Sequence, residues 1–90
     1  MSAHPIQIRD AKQLGAFVRM VRKAQQLRQD EVGRISHSFI GDLEAGKPTV
    51  QLGKVLDVLN ELGVKMQLEL PAGLDPQLID VVLGGLRPTS

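Results

Sequence analysis

The sequence predicts an all-α domain of four to five short helices, followed by one C-terminal β-strand that pairs between two copies of the chain. Three observations predict it. Apolar residues recur at i, i+3, i+4 spacing through most of residues 11–62. Glycine and proline interrupt that pattern at Gly46, Pro48 and Gly63. The period then changes from helical to alternating over residues 64–70.

Asp10 followed by Gln13 forms a capping box in front of the first apolar run. Leu14, Phe17, Val18 and Val21 then recur at helix spacing, which predicts a helix over 11–26. Lys12, Arg19, Arg22 and Lys23 fall mostly on the opposite, solvated side. A second short helix is expected over 29–34, with Asp30 and Glu31 near its positive N-terminal end. Ser36 is suited to cap a third helix, because its hydroxyl can accept from an orphan backbone N–H. Phe39, Ile40 and Leu43 make its inward face, and His37, Ser38 and Asp42 project the other way. Gly46 ends it in a left-handed turn and Pro48 prevents its resumption. Thr49 can cap a fourth helix that buries Leu52, Val55, Leu56, Leu59 and Leu62 and stops at Gly63.

In the next stretch Val64, Met66, Leu68 and Leu70 alternate with Lys65, Gln67 and Glu69, and Pro71 ends the run. A lone strand leaves unpaired backbone groups and is unstable in water. With one evident strand per chain, the same strand of a second chain is the simplest partner, antiparallel about a two-fold axis. Val64, Met66, Leu68 and Leu70 are therefore the expected dimerisation residues. The competing partner is Ile6-Gln7-Ile8, in the same chain or across the dimer. In the tail, Asp75 is a cap candidate and Pro76 suits the first position of a further short helix. Ile79, Val82, Leu83 and Leu86 form its apolar edge, and Gly84 and Gly85 cut it short. Such a helix docks on the domain, docks on a partner or stays mobile. The organisation is thus an N-terminal arm (1–9), a helical domain with its dimerisation strand (10–70, strand 64–70) and a tail (71–90).

Ninety residues allow one domain with a small core, for which dimerisation is a natural support. Cysteine is absent, which excludes disulfides, thiol chemistry and Cys-based zinc sites. The N-terminus lacks the apolar stretch of a signal peptide, and no run of about 18 apolar residues exists. The expectation is a cytoplasmic protein with no membrane contact. Residues 1–54 hold nine Lys/Arg against five acids, and residues 55–90 hold two against five. A basic front half suits a polyanion, although a solvated mix of charges gives the same count. His4 and His37 are too isolated for a metal site, and no catalytic constellation or phosphate loop is present; Gly41 and Gly46 are helix and turn glycines. No enzyme activity and no cofactor are expected. Phe17 and Phe39 are the only aromatics, which leaves no stacking platform for single-stranded nucleic acid.

Two short helices joined by a tight turn and braced on both sides match a helix-turn-helix, whose second helix enters the major groove of DNA. The segment FIGDLEAGKPTVQLGKVLDVLNELGV, with the leading LGAFVRMVRKAQQLRQDE, resembles the phage-repressor-type (XRE/Cro-CI) helix-turn-helix regulators, and in particular the HipB-like antitoxins. The resemblance spans Leu14 to Leu70. It implies a lambda-repressor-like domain of four or five helices, a strand-paired homodimer, and binding to palindromic double-stranded operator DNA. It also implies capture of a HipA-like serine/threonine kinase toxin in a bacterial, nucleoid-associated setting. By position, Gln29 matches a phosphate-binding glutamine at the start of the second helix. Ser36 matches the polar residue that opens the recognition helix, and His37, Ser38 and Asp42 fall on its groove-facing positions. Lys47 matches a phosphate contact after that helix.

Physical chemistry agrees with those roles. Lysine and arginine neutralise phosphates, and Arg28 and Arg34 flank the motif as further backbone contacts. His37 can donate to guanine or accept from a base amino group, and Ser38 can do either more weakly. Asp42 can accept from a cytosine amino group or pair within the chain with Lys47. One departure matters: the family pattern Q-x-x-L-A-x-x-x-G-V-S is here QDEVGRIS, three residues shorter, so roughly one helical turn is missing. Three functions follow: an autorepressing antitoxin of a kinase toxin operon, a protein-interaction antitoxin with weakened DNA binding, or a phage-type repressor without a toxin.

Overall fold

The computed structural model describes residues 4–84. Among them the chain forms four α-helices: α1 (Ala11–Ala24), α2 (His37–Glu44), α3 (Leu52–Glu61) and α4 (Pro76–Gly84). A single 3₁₀ turn, Gln29–Glu31, lies between α1 and α2. The Asp10 carboxylate accepts from the Gln13 N–H at 2.8 Å, and the Gln13 side chain accepts from the Arg9 N–H at 2.8 Å, so the expected box forms one residue wider.

Three helices stop in the same way. α1 ends short of residue 26 because Gln26 is left-handed, with φ 60°. Its N–H bonds to the Lys23 carbonyl at 2.9 Å, and the Leu27 N–H bonds to Arg22 at 3.1 Å. This is a Schellman turn, normally closed by glycine. Gly46 (φ 82°) and Gly63 (φ 75°) close the matching turns after α2 and α3.

The expected second helix, 29–34, is reduced to the one 3₁₀ turn. Glu31 accepts from the Arg28 N–H at 2.7 Å to start it. Gly33 then turns the chain through a positive φ of 54°, and a Cβ there would meet the Glu61 carboxyl carbon at 2.6 Å. The missing helical turn is absorbed here, while Val32 still reaches the core. α3 starts without a side-chain cap at Gln51, and Thr49 sits in the preceding turn rather than capping the helix.

The core is Val18, Val32, Ile40, Leu43, Val55, Val58, Leu59 and Leu62. Val58, absent from the expected set, is fully buried, whereas Leu52 and Leu56 are 65% and 43% exposed. The buried stripe of α3 is centred on Val55, Val58, Leu59 and Leu62. Leu56 lies about 100° of rotation beyond Val55, whereas Leu52 lies close to the line of Leu59 but stands at the first position of the helix.

No strand is present among the described residues. Segment 64–70 leaves Met66, Leu68 and Leu70 exposed, with Val64 half-buried, and Ile6 and Ile8 are exposed as well. One chain offers these residues no paired edge. α4 starts at Pro76 as expected, with the Asp75 carboxylate accepting from the Gln77 N–H at 2.9 Å. It buries no residue, and Leu78, Val81, Val82 and Leu83 are exposed. Gly85 and Leu86 lie outside the described residues, as do residues 1–3 of the arm.

Candidate nucleic-acid interface

α2 is held on α1 by close backbone contact and one buried ion pair. A Cβ on Gly15 would lie 2.7 Å from the Glu44 carbonyl oxygen and closer still to that of Leu43, so only glycine admits this approach. Along α1, Gly15, Val18 and Arg22 share the buried face. The Arg22 guanidinium grips the Glu44 carboxylate with two bonds, of 2.6 and 2.8 Å. The side chains are 8% and 4% exposed. A third bond runs from Arg22 Nη1 to the Leu27 carbonyl at 2.8 Å, which ties the turn after α1 to the same cluster. Arg22 is thus a core residue, not part of the solvated face its spacing suggested. The helix period places it seven residues after Gly15, on the side that α2 covers.

Gln29 joins this cluster. Its amide donates to Glu44 Oε1 at 3.2 Å. Burial pushes the Glu44 carboxyl up, but the hydrogen bonds from Arg22 and Gln29 outweigh it and hold the group below the usual carboxylate range. The hydrogen bonds it donates to Glu44 likewise hold the Arg22 guanidinium above its ordinary value, against the opposing effect of burial. The half-buried Gln29 is therefore fixed from behind by the core pair.

The outer face of α2 carries the expected reading residues. Ser36 Oγ accepts from the Phe39 N–H at 3.2 Å and caps the helix. His37 and Ser38 are exposed on its first turn. Asp42 faces Lys47 across the end of the helix, with Oδ2 to Nζ at 3.6 Å, and both side chains are more than half exposed. Arg28 is drawn to Asp30 and Glu31 at 3.2 and 3.4 Å, so its charge is locally balanced. Arg34 is exposed in the loop that leads into Ser36. The structure therefore gathers Ser36, His37, Ser38, Asp42 and Lys47 on one helix and the turn that follows it.

Four residues of this region escaped sequence reasoning: Gly15, Arg22, Glu44 and Lys54. Lys54 Nζ lies 5.8 Å from the Phe39 ring centroid, which brings a cation from α3 beside α2. Gly15 carried a signal, an isolated glycine inside a strong helix pattern. The Arg22–Glu44 pair carried none, since the two residues are 22 positions apart.

No family model matches the chain. It is 52% identical over 67 residues, covering 71% of this chain and 88% of the relative, to the uncharacterized HTH-type transcriptional regulator y4mF of Sinorhizobium fredii (strain NBRC 101917 / NGR234). Its fold is similar to two solved structures of HipB. A HipB–O4 20mer complex gives a TM-score of 0.66 at 22% identity, over 71% of this chain and 94% of that one. A complex of a HipB point variant with an O2 20mer gives 0.67 at 22% identity, over 73% and 96%.

Proposed function

The chain belongs to the HTH-type transcriptional regulators, and from that premise we propose that it is a repressor that binds double-stranded operator DNA as a homodimer. The observation that carries this reading is the exposed first turn of α2, capped by Ser36 and anchored from behind by Arg22 and Glu44. A reading helix must offer side chains at its N-terminal end and must not rock on its support. His37 and Ser38 meet base edges in this reading, with Asp42 behind them. Lys47, Gln29 and Arg34 meet phosphates, and Arg28 does so once it exchanges its carboxylate partners for DNA. Val64, Met66, Leu68 and Leu70 join two copies so that their two α2 helices face successive turns of the duplex.

The finer assignment is antitoxin: the repressor controls its own bacterial operon from the cytoplasm and captures a HipA-like serine/threonine kinase toxin. The resemblance to HipB-like antitoxins and the similarity of fold to HipB support it. We assign the chain no enzymatic activity and no cofactor. The second reading, an interaction module with weakened DNA binding, is favoured by the shortened 29–31 turn and by the pairing of Arg28 with two carboxylates. A repressor without a toxin is the third, and a downstream kinase-like reading frame separates it from the first.

Anisotropy titration against the duplex upstream of the gene tests the proposal. Specific binding should exceed binding to scrambled duplex by about a thousand-fold or more and fall steeply with salt. Equal affinity for both duplexes eliminates the operator reading. Co-purification with the neighbouring gene product, without operator binding, favours the second.

A further inference from the structure

Residues 64–70 read Val-Lys-Met-Gln-Leu-Glu-Leu. Placed antiparallel to a second copy and centred on Gln67, this stretch complements itself. Val64 falls opposite Leu70, Met66 opposite Leu68, and Lys65 opposite Glu69, each pair occurring twice about the two-fold axis. All apolar side chains then lie on one face of the ladder and all charges on the other, with every cation facing an anion. A slip by one residue places an apolar side chain opposite a polar one along the whole ladder. A slip by two brings lysine opposite glutamine or glutamate opposite glutamine, and the charge pairing is lost.

The chain also contains a seat for such a strand. A groove of about 560 Å³ runs between the arm, from His4 to Ile8, and the segment from Gly63 to Leu68. Leu14, Phe17 and Leu59 line it as well. Its two flanking stretches lie outside the helices and have no ladder partners among the described residues, and its lining is mostly apolar. Ile6 and Leu68 beside it are 49% and 85% exposed.

We propose that this groove receives residues 64–70 of a second copy in the register centred on Gln67, with Lys65 paired to Glu69 of the partner subunit. The inserted strand runs between the arm and the 64–70 segment of the receiving chain. Two-fold symmetry then gives a four-stranded order: arm, partner strand, own strand, partner arm. The arms cover both edges of the central pair, which otherwise remain open to further chains. This inference rests on the homodimer of the proposed function and specifies how its halves choose one another.

Charge exchange tests the register. Lys65→Glu sets two like-charged pairs in the dimer, and so does Glu69→Lys. Each should raise the dimer dissociation constant about ten- to a hundred-fold by sedimentation. Mixed together, the two variants should form a heterodimer of wild-type strength, because one chain then carries two glutamates and the other two lysines and both opposing pairs are again of opposite sign; the double variant should self-associate normally. Gln67→Cys, in a chain with no native cysteine, should cross-link rapidly to itself on mild oxidation, whereas Lys65→Cys should not. Ile8→Asp puts a charge into the groove wall and should weaken the dimer with 64–70 intact. A wild-type chain that is monomeric throughout overturns the dimer reading itself. A stable dimer whose charge variants behave like wild type, alone and mixed, overturns the register and leaves the dimer standing. A dimer insensitive to Ile8→Asp overturns the groove as its seat.

Discussion

Glu44→Gln tests the claim that the reading helix is locked from behind. The substitution keeps the shape of the side chain but removes its charge, leaving the Arg22 guanidinium buried with 8% of its side chain exposed. Three donor contacts converge on the Glu44 carboxylate, two from Arg22 and one from Gln29. Breaking a buried pair by removing one partner costs about 3–5 kcal/mol, whereas an exposed pair contributes about 0–1 kcal/mol. Against a total of about 5–15 kcal/mol for a domain, the larger figure is a large fraction of stability. Urea denaturation followed by circular dichroism, at one fixed protein concentration because a dimer stabilises by mass action, measures it. The pH dependence follows from the lowered Glu44 carboxyl. A carboxylate depressed in the folded state contributes fully above its unfolded range and loses that contribution as pH falls through its folded value. The gap between wild type and Glu44→Gln should therefore be widest near neutrality and close in acid. Replacing both partners, as in Arg22→Met with Glu44→Leu, should recover much of the loss, since no charge is then stranded. A loss below about 1 kcal/mol for Glu44→Gln, independent of pH, would refute the reasoning.

Other substitutions probe the remaining supports. Gln26→Gly should stabilise the chain by about 0.5–1 kcal/mol, relieving a left-handed residue at the end of α1, and raise Tm by a few degrees. Gly15→Ala should cost about 1–3 kcal/mol or more, because the added methyl meets the carbonyls of α2; calorimetry reads the drop in Tm. Ser36→Ala should cost about 1 kcal/mol through loss of the cap to the Phe39 N–H, seen as a lower urea midpoint. Lys47→Gln should weaken operator and scrambled duplex alike and reduce the salt slope of binding by about one, whereas Ser38→Ala should weaken the operator selectively; a salt-titrated anisotropy series separates the two.

Several helix boundaries were legible because each depends on a local device, whereas the end of α1, the 29–34 helix and the Thr49 cap came out differently. Asp10, Ser36, Gly46, Gly63 and Pro76 act through bonds to residues within a few positions, and all five stand where the sequence placed them. The missing turn after Gln29 was countable for the same reason, as was the alternation over 64–70. Which faces are covered is another matter. Helix periodicity gives the angle of a residue around its axis but not what lies opposite. Leu52 and Leu56 fit the apolar pattern of α3 and remain exposed, and Arg22 carries a full charge and is buried. Only the crossing of α2 over Gly15 brings Glu44 to Arg22 across 22 residues of sequence and turns a charge that favours solvent into the anchor of the candidate reading helix. Local bonding was therefore set by the sequence by itself, whereas the partners of each face were decided by the tertiary structure, because burial depends on how helices far apart in the chain come to lie against one another.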